Sequence, residues 1–188
     1  VVVPPLPPGN LSTVWGDDKR FVQSYFTTFK NMVYNSFDWA VRDDDGYFFI
    51  LGRTDDVINV ASHRLGTREI EEAIQNHPGV AEVAVIGVAD KLKGQVPVGF
   101  CRLKDPRQLE EPGAEARLEK EVIGKVQELL GVVAKPSRIH FVNALPKTRS
   151  GKLLRRSIQA LVEGRDPGDL STLDDPNSLE GVRRAIGH

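Results

Sequence analysis

Residues 66–103 run Gly66-Thr67-Arg68-Glu69-Ile70-Glu71-Glu72-Ala73-Ile74-Gln75-Asn76-His77-Pro78-Gly79-Val80-Ala81-Glu82-Val83-Ala84-Val85-Ile86-Gly87-Val88, then pass through Ala89 to Gln95 into Val96-Pro97-Val98-Gly99-Phe100-Cys101-Arg102-Leu103. The apolar period changes inside this stretch. Ile70, Ala73 and Ile74 share one face at helical spacing, so a helix is predicted from about Arg68 to Asn76. Thr67 is placed to cap its free amides, Glu69 suits the positive end of the helix dipole, and His77-Pro78-Gly79 ends it. Val80 to Val88 then partly alternates and is β-branched, as is Val96 to Leu103. Two strands flanking the loop Ala89 to Gln95 are predicted.

Working outward, Leu118, Val122, Val126, Leu129 and Leu130 form one face of a long helix predicted to pack on those strands. Arg138 to Val142 reads as a third strand, and Leu153 to Val162 as a later helix. Upstream, Phe37 to Gly52 carries the turn Asp43-Asp44-Asp45-Gly46 between aromatic and β-branched residues, a hairpin signal, and Asp56 to Val60 is a further extended stretch. Phe21, Val22, Tyr25, Phe26 and Phe29 recur at steps of three and four, predicting a short amphipathic helix from Asp17 to Phe29. Val1 to Asn10 holds four of the twelve prolines and reads as a linker. Beyond Gly164 the chain is polar, and a loosely held tail is expected, with a short final helix through Leu179, Val182 and Ile186. The order hairpin, helix, strand, strand, helix, strand, helix predicts an α+β fold with helices packed on a small sheet.

The 188 residues include 25 Lys plus Arg against 26 Asp plus Glu, for a net charge of −1. That balance gives no general electrostatic case for a nucleic-acid or anionic-membrane partner, and neither is expected. No apolar run approaches the roughly 20 residues needed to span a bilayer. Cys101 is the single cysteine, which excludes an internal disulfide and any cysteine-based zinc site; a cytoplasmic setting is expected. The sequence opens on Val1 instead of Met, so a portion of something longer is expected.

Two segments could carry chemistry. Pro146-Lys147-Thr148-Arg149-Ser150-Gly151-Lys152, followed by Arg155 and Arg156, concentrates cations on an otherwise balanced chain and points to an anion. Lys152, after the freely turning Ser150-Gly151 pair, could deliver a point charge to a phosphoryl group. A Walker-type loop is excluded, because the earlier glycine is missing and Leu153 stands where Ser or Thr should be. The second segment, Gly52 to Glu71, sets Arg53, Asp55, Asp56, His63 and Arg64 around one extended stretch. On residue types alone, a solvated basic turn and surface ion pairs would account for both. No second His or Cys lies at metal-ligand spacing from His63, and no metal site is expected.

Taken together, the motifs go further. Gly52-Arg53-Thr54-Asp55-Asp56 with His63-Arg64-Leu65-Gly66-Thr67-Arg68-Glu69-Ile70-Glu71 resembles the hinge motif of the adenylate-forming superfamily, and Pro146 to Lys152 resembles its C-terminal lysine motif. Gly16-Asp17-Asp18, Phe37-Asp38-Trp39, Gly164 to Asp169 and Ser171 to Pro176 resemble the short-chain branch, the AMP-forming propionyl- and acetyl-CoA synthetases. The resemblance implies the C-terminal lid domain of that superfamily over 54–164, preceded over 1–53 by a hairpin-bearing remnant of the large N-terminal domain and followed over 165–188 by a tail. It implies an acid–thiol ligase: a short-chain carboxylic acid and ATP with Mg2+ give an acyl-adenylate and pyrophosphate, and coenzyme A then displaces AMP.

In that family the residue matching Lys152 bridges the acyl carboxylate and the nucleotide. The match to Asp38 holds the ribose hydroxyls, the matches to Arg53 and Arg64 contact nucleotide, and the match to Asp55 is the hinge. Ser62 and His63 fall on the coenzyme A path, with Ser62 where many relatives have glycine. Gln127 falls near a coenzyme A phosphate arginine of some relatives, a contact not carried over. The partner implied is the N-terminal domain holding the phosphate loop and acyl pocket, without which the piece is expected to be inactive; a lysine acyltransferase or deacylase acting on Lys152 is a further expected partner. Two alternatives remain open at this point: a non-catalytic interaction module with the same fold, and adenylation for a carrier-protein thiol.

Overall fold

Two long β-branched runs frame the larger part of the molecule. The computed structural model describes residues 9–29 and 33–187, with the Asp55 side chain outside that description. The chain divides into two compact units, Val1–Asp55 and Asp56–His188.

In the second unit β5 (Val80–Asp90) and β6 (Gly94–Leu103) pair antiparallel from Val80↔Leu103 to Asp90↔Gly94. Both outrun the predicted strands, because the connection tightens onto Asp90, whose Oδ1 accepts the amides of Leu92 and Lys93 at 2.9 and 2.8 Å. β3 (Val57–Val60) and β4 (His63–Gly66) form a second hairpin, so the single extended stretch expected there folds back on itself. The sheet order is β4-β3-β6-β5, and β7 (Arg138–Phe141) runs parallel to β6. Pro97 lies inside β6 at a tolerable place. β3 meets β6 only at Gly94 and β7 joins from Val98, so the missing proline N–H falls in the gap, while its carbonyl accepts the Ser137 amide and hydroxyl.

Helices cover both faces of this sheet, which is why β5 reads as nearly continuous hydrophobe. Val83 and Val85 face α2 (Thr67–Gln75) and α3 (Ala114–Leu130) in one core with Ile70, Ile74 and Val122. Ala84 and Ile86 face the opposite way, in a core with Phe100, Ile158, Leu161, Leu179 and Val182 contributed in part by α4 (Arg155–Val162) and α5 (Pro176–Ile186). The result is the α+β fold, a small sheet with packed helices.

Four local expectations are corrected. Gly66, not Thr67, is the N-cap of α2, and Thr67 is buried in its first turn. Leu129 and Leu130 are exposed, because the buried stripe of α3 is Ala114, Leu118, Val122 and Val126, one residue per turn, and stops there. α4 opens at Arg155 instead of Leu153, since Leu153 is held in a bridge to Lys147. The segment after Gly164 is not loose: α5 is capped by Asp175, buries Leu179 and Val182, and accepts at the Ala185 carbonyl a 2.9 Å hydrogen bond from His140 Nδ1.

In the first unit, α1 (Asp18–Tyr25) is capped by Asp17 and ends short of Phe29. Its aromatic residues Phe21 and Tyr25 pack on each other and on residues beyond the helix end, Phe21 on Phe26, and Tyr25 and Phe26 on Tyr34. β1 (Asp38–Arg42) and β2 (Phe48–Arg53) form the expected hairpin about Asp43–Gly46, with Gly46 at φ 93° and Asp43 Oδ1 accepting the Tyr47 amide. Of the linker expected over Val1 to Asn10, residues 1–8 lie outside the described residues. No helix among the described residues is long and apolar enough to cross a membrane.

Candidate functional site

The lysine loop is a closed ring of backbone hydrogen bonds. Lys147 and Leu153 bridge antiparallel, the Thr148 amide donates to the Lys152 carbonyl at 2.8 Å, and the Gly151 amide returns to the Thr148 carbonyl at 2.8 Å. Gly151 takes φ 83°, which closes the turn in a conformation L side chains avoid. Thr148 Oγ1 accepts the Lys152 amide at 3.1 Å and contacts Ser150 Oγ at 2.9 Å. The backbone of Lys152 is thus fixed on both sides while its side chain is exposed, with no hydrogen bond or ion pair among the described residues.

Its neighbouring cations are used differently. Lys147 Nζ donates to Glu82 Oε2 at 2.9 Å, and that bond holds the Glu82 carboxyl below its ordinary pKa. Arg155, the first residue of α4, forks onto Glu71 at 2.8 Å to each oxygen, and Glu71 also accepts the Val85 amide at 2.9 Å. Burial raises the Glu71 carboxyl against the pull of that guanidinium. One carboxylate on α2 therefore ties β5 to the helix leaving the lysine loop, and Arg155 reaches Asp56 at 4.0 Å as well. Glu71 was visible only as part of a motif, and Glu82 not at all. Their partners lie 84 and 65 residues away, beyond any local pattern.

The other expected residues fall in two places. Asp38 and Arg53 are register partners at the open end of the β1–β2 hairpin, 3.8 Å apart, with Arg53 also over the Phe37 ring. Ser62, His63 and Arg64 are all exposed on the β3–β4 hairpin, where Ala61 (φ 47°) and Ser62 (φ 71°) form a two-residue turn. Both positive φ values are what such a turn requires, and glycine or asparagine usually supplies them. His63 Nδ1 lies 3.2 Å from the Ala61 carbonyl. The backbone of Asp55 sits in the 3-10 turn Thr54–Asp56, at the division between the two units.

Within the second unit the lysine loop and this hairpin turn attach to opposite ends of the β5–β6 ribbon. Lys147 anchors to Glu82 near the start of β5, whereas the Ala61 amide bonds the Lys93 carbonyl at the β5–β6 turn. At about 3.3 Å per residue, those ends are roughly 25 Å apart along the strand. One compact unit therefore presents two separate polar ends. No group of three or more His, Cys, Asp or Glu side chains that could hold a metal occurs among the described residues.

Residues 69–152 match the family model of the AMP-binding enzyme C-terminal domain. Over those residues the chain is similar to that family. It is similar to the C-terminal part of propionate–CoA ligase from Escherichia coli strain K12, with 59% identity over 99% of this chain and 30% of that protein. Acetyl-coenzyme A synthetase from Pyrobaculum aerophilum is 47% identical over 95% of this chain and 26% of its own length. In fold, the chain resembles acetoacetyl-CoA synthetase from Streptomyces lividans, with a TM-score of 0.72 over 91% of this chain and 25% of that one at 23% identity. The chain spans about 30% of the propionate–CoA ligase it matches.

Proposed function

We propose that the chain is the lid of an AMP-forming short-chain acyl-CoA synthetase, acting in the cytoplasm with an N-terminal domain that holds the phosphate loop and acyl pocket. Propionate or acetate and ATP give acyl-adenylate and pyrophosphate; the coenzyme A thiol then attacks the acyl carbon and AMP leaves. Lys152 is the catalytic residue of the first step. Its ammonium bridges the acid and the α-phosphate, offsetting charge that develops as the carboxylate attacks. Asp38 accepts the ribose hydroxyls, Arg53 and Arg64 contact the nucleotide, and Asp55 is the pivot. Ser62 and His63 line the coenzyme A path in the second step. Magnesium enters bound to the triphosphate, in keeping with an ion that keeps its waters and substrate phosphates as ligands. The exposed Lys152 is also open to a lysine acyltransferase or deacylase.

The observation that carries this reading is the contrast among the clustered cations: Lys147 and Arg155 are held on internal carboxylates, whereas Lys152 has a fixed backbone and an unengaged side chain. The test is Lys152→Ala in the full enzyme. Adenylate formation is expected to fall by about 10²–10³-fold, with thioester formation from supplied acyl-adenylate within a few-fold of wild type. Equal loss in both steps would contradict the role.

A further inference from the structure

The ring around Lys152 is not closed by its own residues alone. Its outer edge, Lys147 to Arg149, is paired with a stretch that comes back after α4: the Arg149 amide donates to the Thr172 carbonyl at 3.1 Å, the Asp174 amide donates to the Lys147 carbonyl at 2.9 Å, and Thr148 bridges Leu173 antiparallel. We propose that residues 171–174 are a strap that sets the backbone of the Lys152 loop, making this segment a positioning element for adenylate formation. The matched family domain ends at residue 152, so the strap lies outside it. This inference rests on the role proposed for Lys152.

The strap is anchored on both sides. Before it, Ser157 Oγ of α4 donates to the Pro167 carbonyl at 3.0 Å, and the Leu173 amide returns to the Leu170 carbonyl at 2.9 Å. After it, Asp175 caps α5 by accepting the Asn177 amide, and Leu179 and Val182 seat that helix in the core. Leu173 itself is 8% exposed and packs in the same core. Without the strap the Arg149 amide and the Lys147 carbonyl would lose their partners, leaving the ring with only its short internal bonds. Since the Lys152 side chain has no hydrogen bond or ion pair among the described residues to guide it, its reach is set by backbone placement, and a misplacement of about 1 Å can cost 10²-fold in rate.

The test compares two substitutions at one position. Asp174→Pro deletes the amide that bonds Lys147, and the extended bridge at Leu173 already suits a following proline. Asp174→Ala keeps the amide and removes a carboxylate that makes no hydrogen bond among the described residues. In the 188-residue chain, Asp174→Pro is expected to raise amide exchange at Arg149 at least tenfold over Asp174→Ala. In the full enzyme it should lower adenylate formation at least tenfold, with thioester formation from supplied acyl-adenylate within twofold. Unchanged exchange with unchanged adenylation would overturn the strap, as would an equal fall in both half-reactions at an unchanged melting temperature. If Asp174→Pro does not fold, Leu173→Ala carries the same expectations in the same assays. Lys152→Ala run alongside separates the two ideas: if it spares adenylation, the lysine role fails, whereas if it abolishes adenylation and the strap variants leave it unchanged, only the strap fails.

Discussion

Ser62 holds a left-handed backbone that L residues adopt at a cost of roughly 1–2 kcal/mol, and glycine avoids that cost while losing more freedom on folding. Ser62→Gly is therefore expected to stabilise the isolated chain by about 0.5–1 kcal/mol, measured as a raised denaturation midpoint. Cys101 offers a second test. Burial pushes its thiol up to about 12, so iodoacetamide at pH 8 should leave it unmodified until denaturant unfolds the chain. Labelling in native buffer would show that the strand carrying it opens. At this scale the sequence was readable in turn chemistry, as at the Asp43–Gly46 turn. It did not show the partners of Glu71 and Glu82, whose roles depend on arginine and lysine side chains that only the folded sheet brings near.

Among the elements, β6 is closely packed at Gly99. A Cβ on Gly99 would meet Ile139 Cδ1 at 2.6 Å, and Ile139 is buried, so Gly99→Ala should destabilise the chain by about 1–3 kcal/mol, read as a lowered denaturation midpoint. α5 provides a pH-dependent contact. His140 stacks on Phe100 at 5.0 Å and donates to the Ala185 carbonyl; burial is the main cause of its lowered pKa, opposed by that hydrogen bond and by Glu119 and Glu115, with Arg138 acting in the same direction as burial. A lowered folded pKa means that this contribution is present above the unfolded value of about 6.5 and is lost as pH falls through the folded value. The denaturation midpoint should therefore fall between pH 7 and 5 by more in the native chain than in His140→Gln. The strands and helices around residues 66–103 were legible because their periods are clean. The end of that helical face at Leu129, the extension of β5 to Asp90 and the seating of α5 were not, since each depends on where the sheet stops and what it leaves to cover.

For the whole molecule, the division at Asp55 and Asp56 and the two separate ends of the β5–β6 ribbon are the features an alternating lid would need. The α+β architecture follows from the order of periods in the sequence, but nothing local foretold that the segment after Gly164 would be built into the same unit as the lysine loop. The central claim is that Lys152 is left for chemistry while Lys147 and Arg155 beside it hold the fold. Pyrophosphate exchange into ATP, driven by the carboxylic acid in the full enzyme, reads that claim most directly. Lys152→Ala should lower the exchange rate by about 10²-fold or more, and Lys147→Ala, which breaks only a partly exposed ion pair to Glu82, by on the order of fivefold or less. Comparable losses at the two positions, or a larger loss at Lys147, would contradict it.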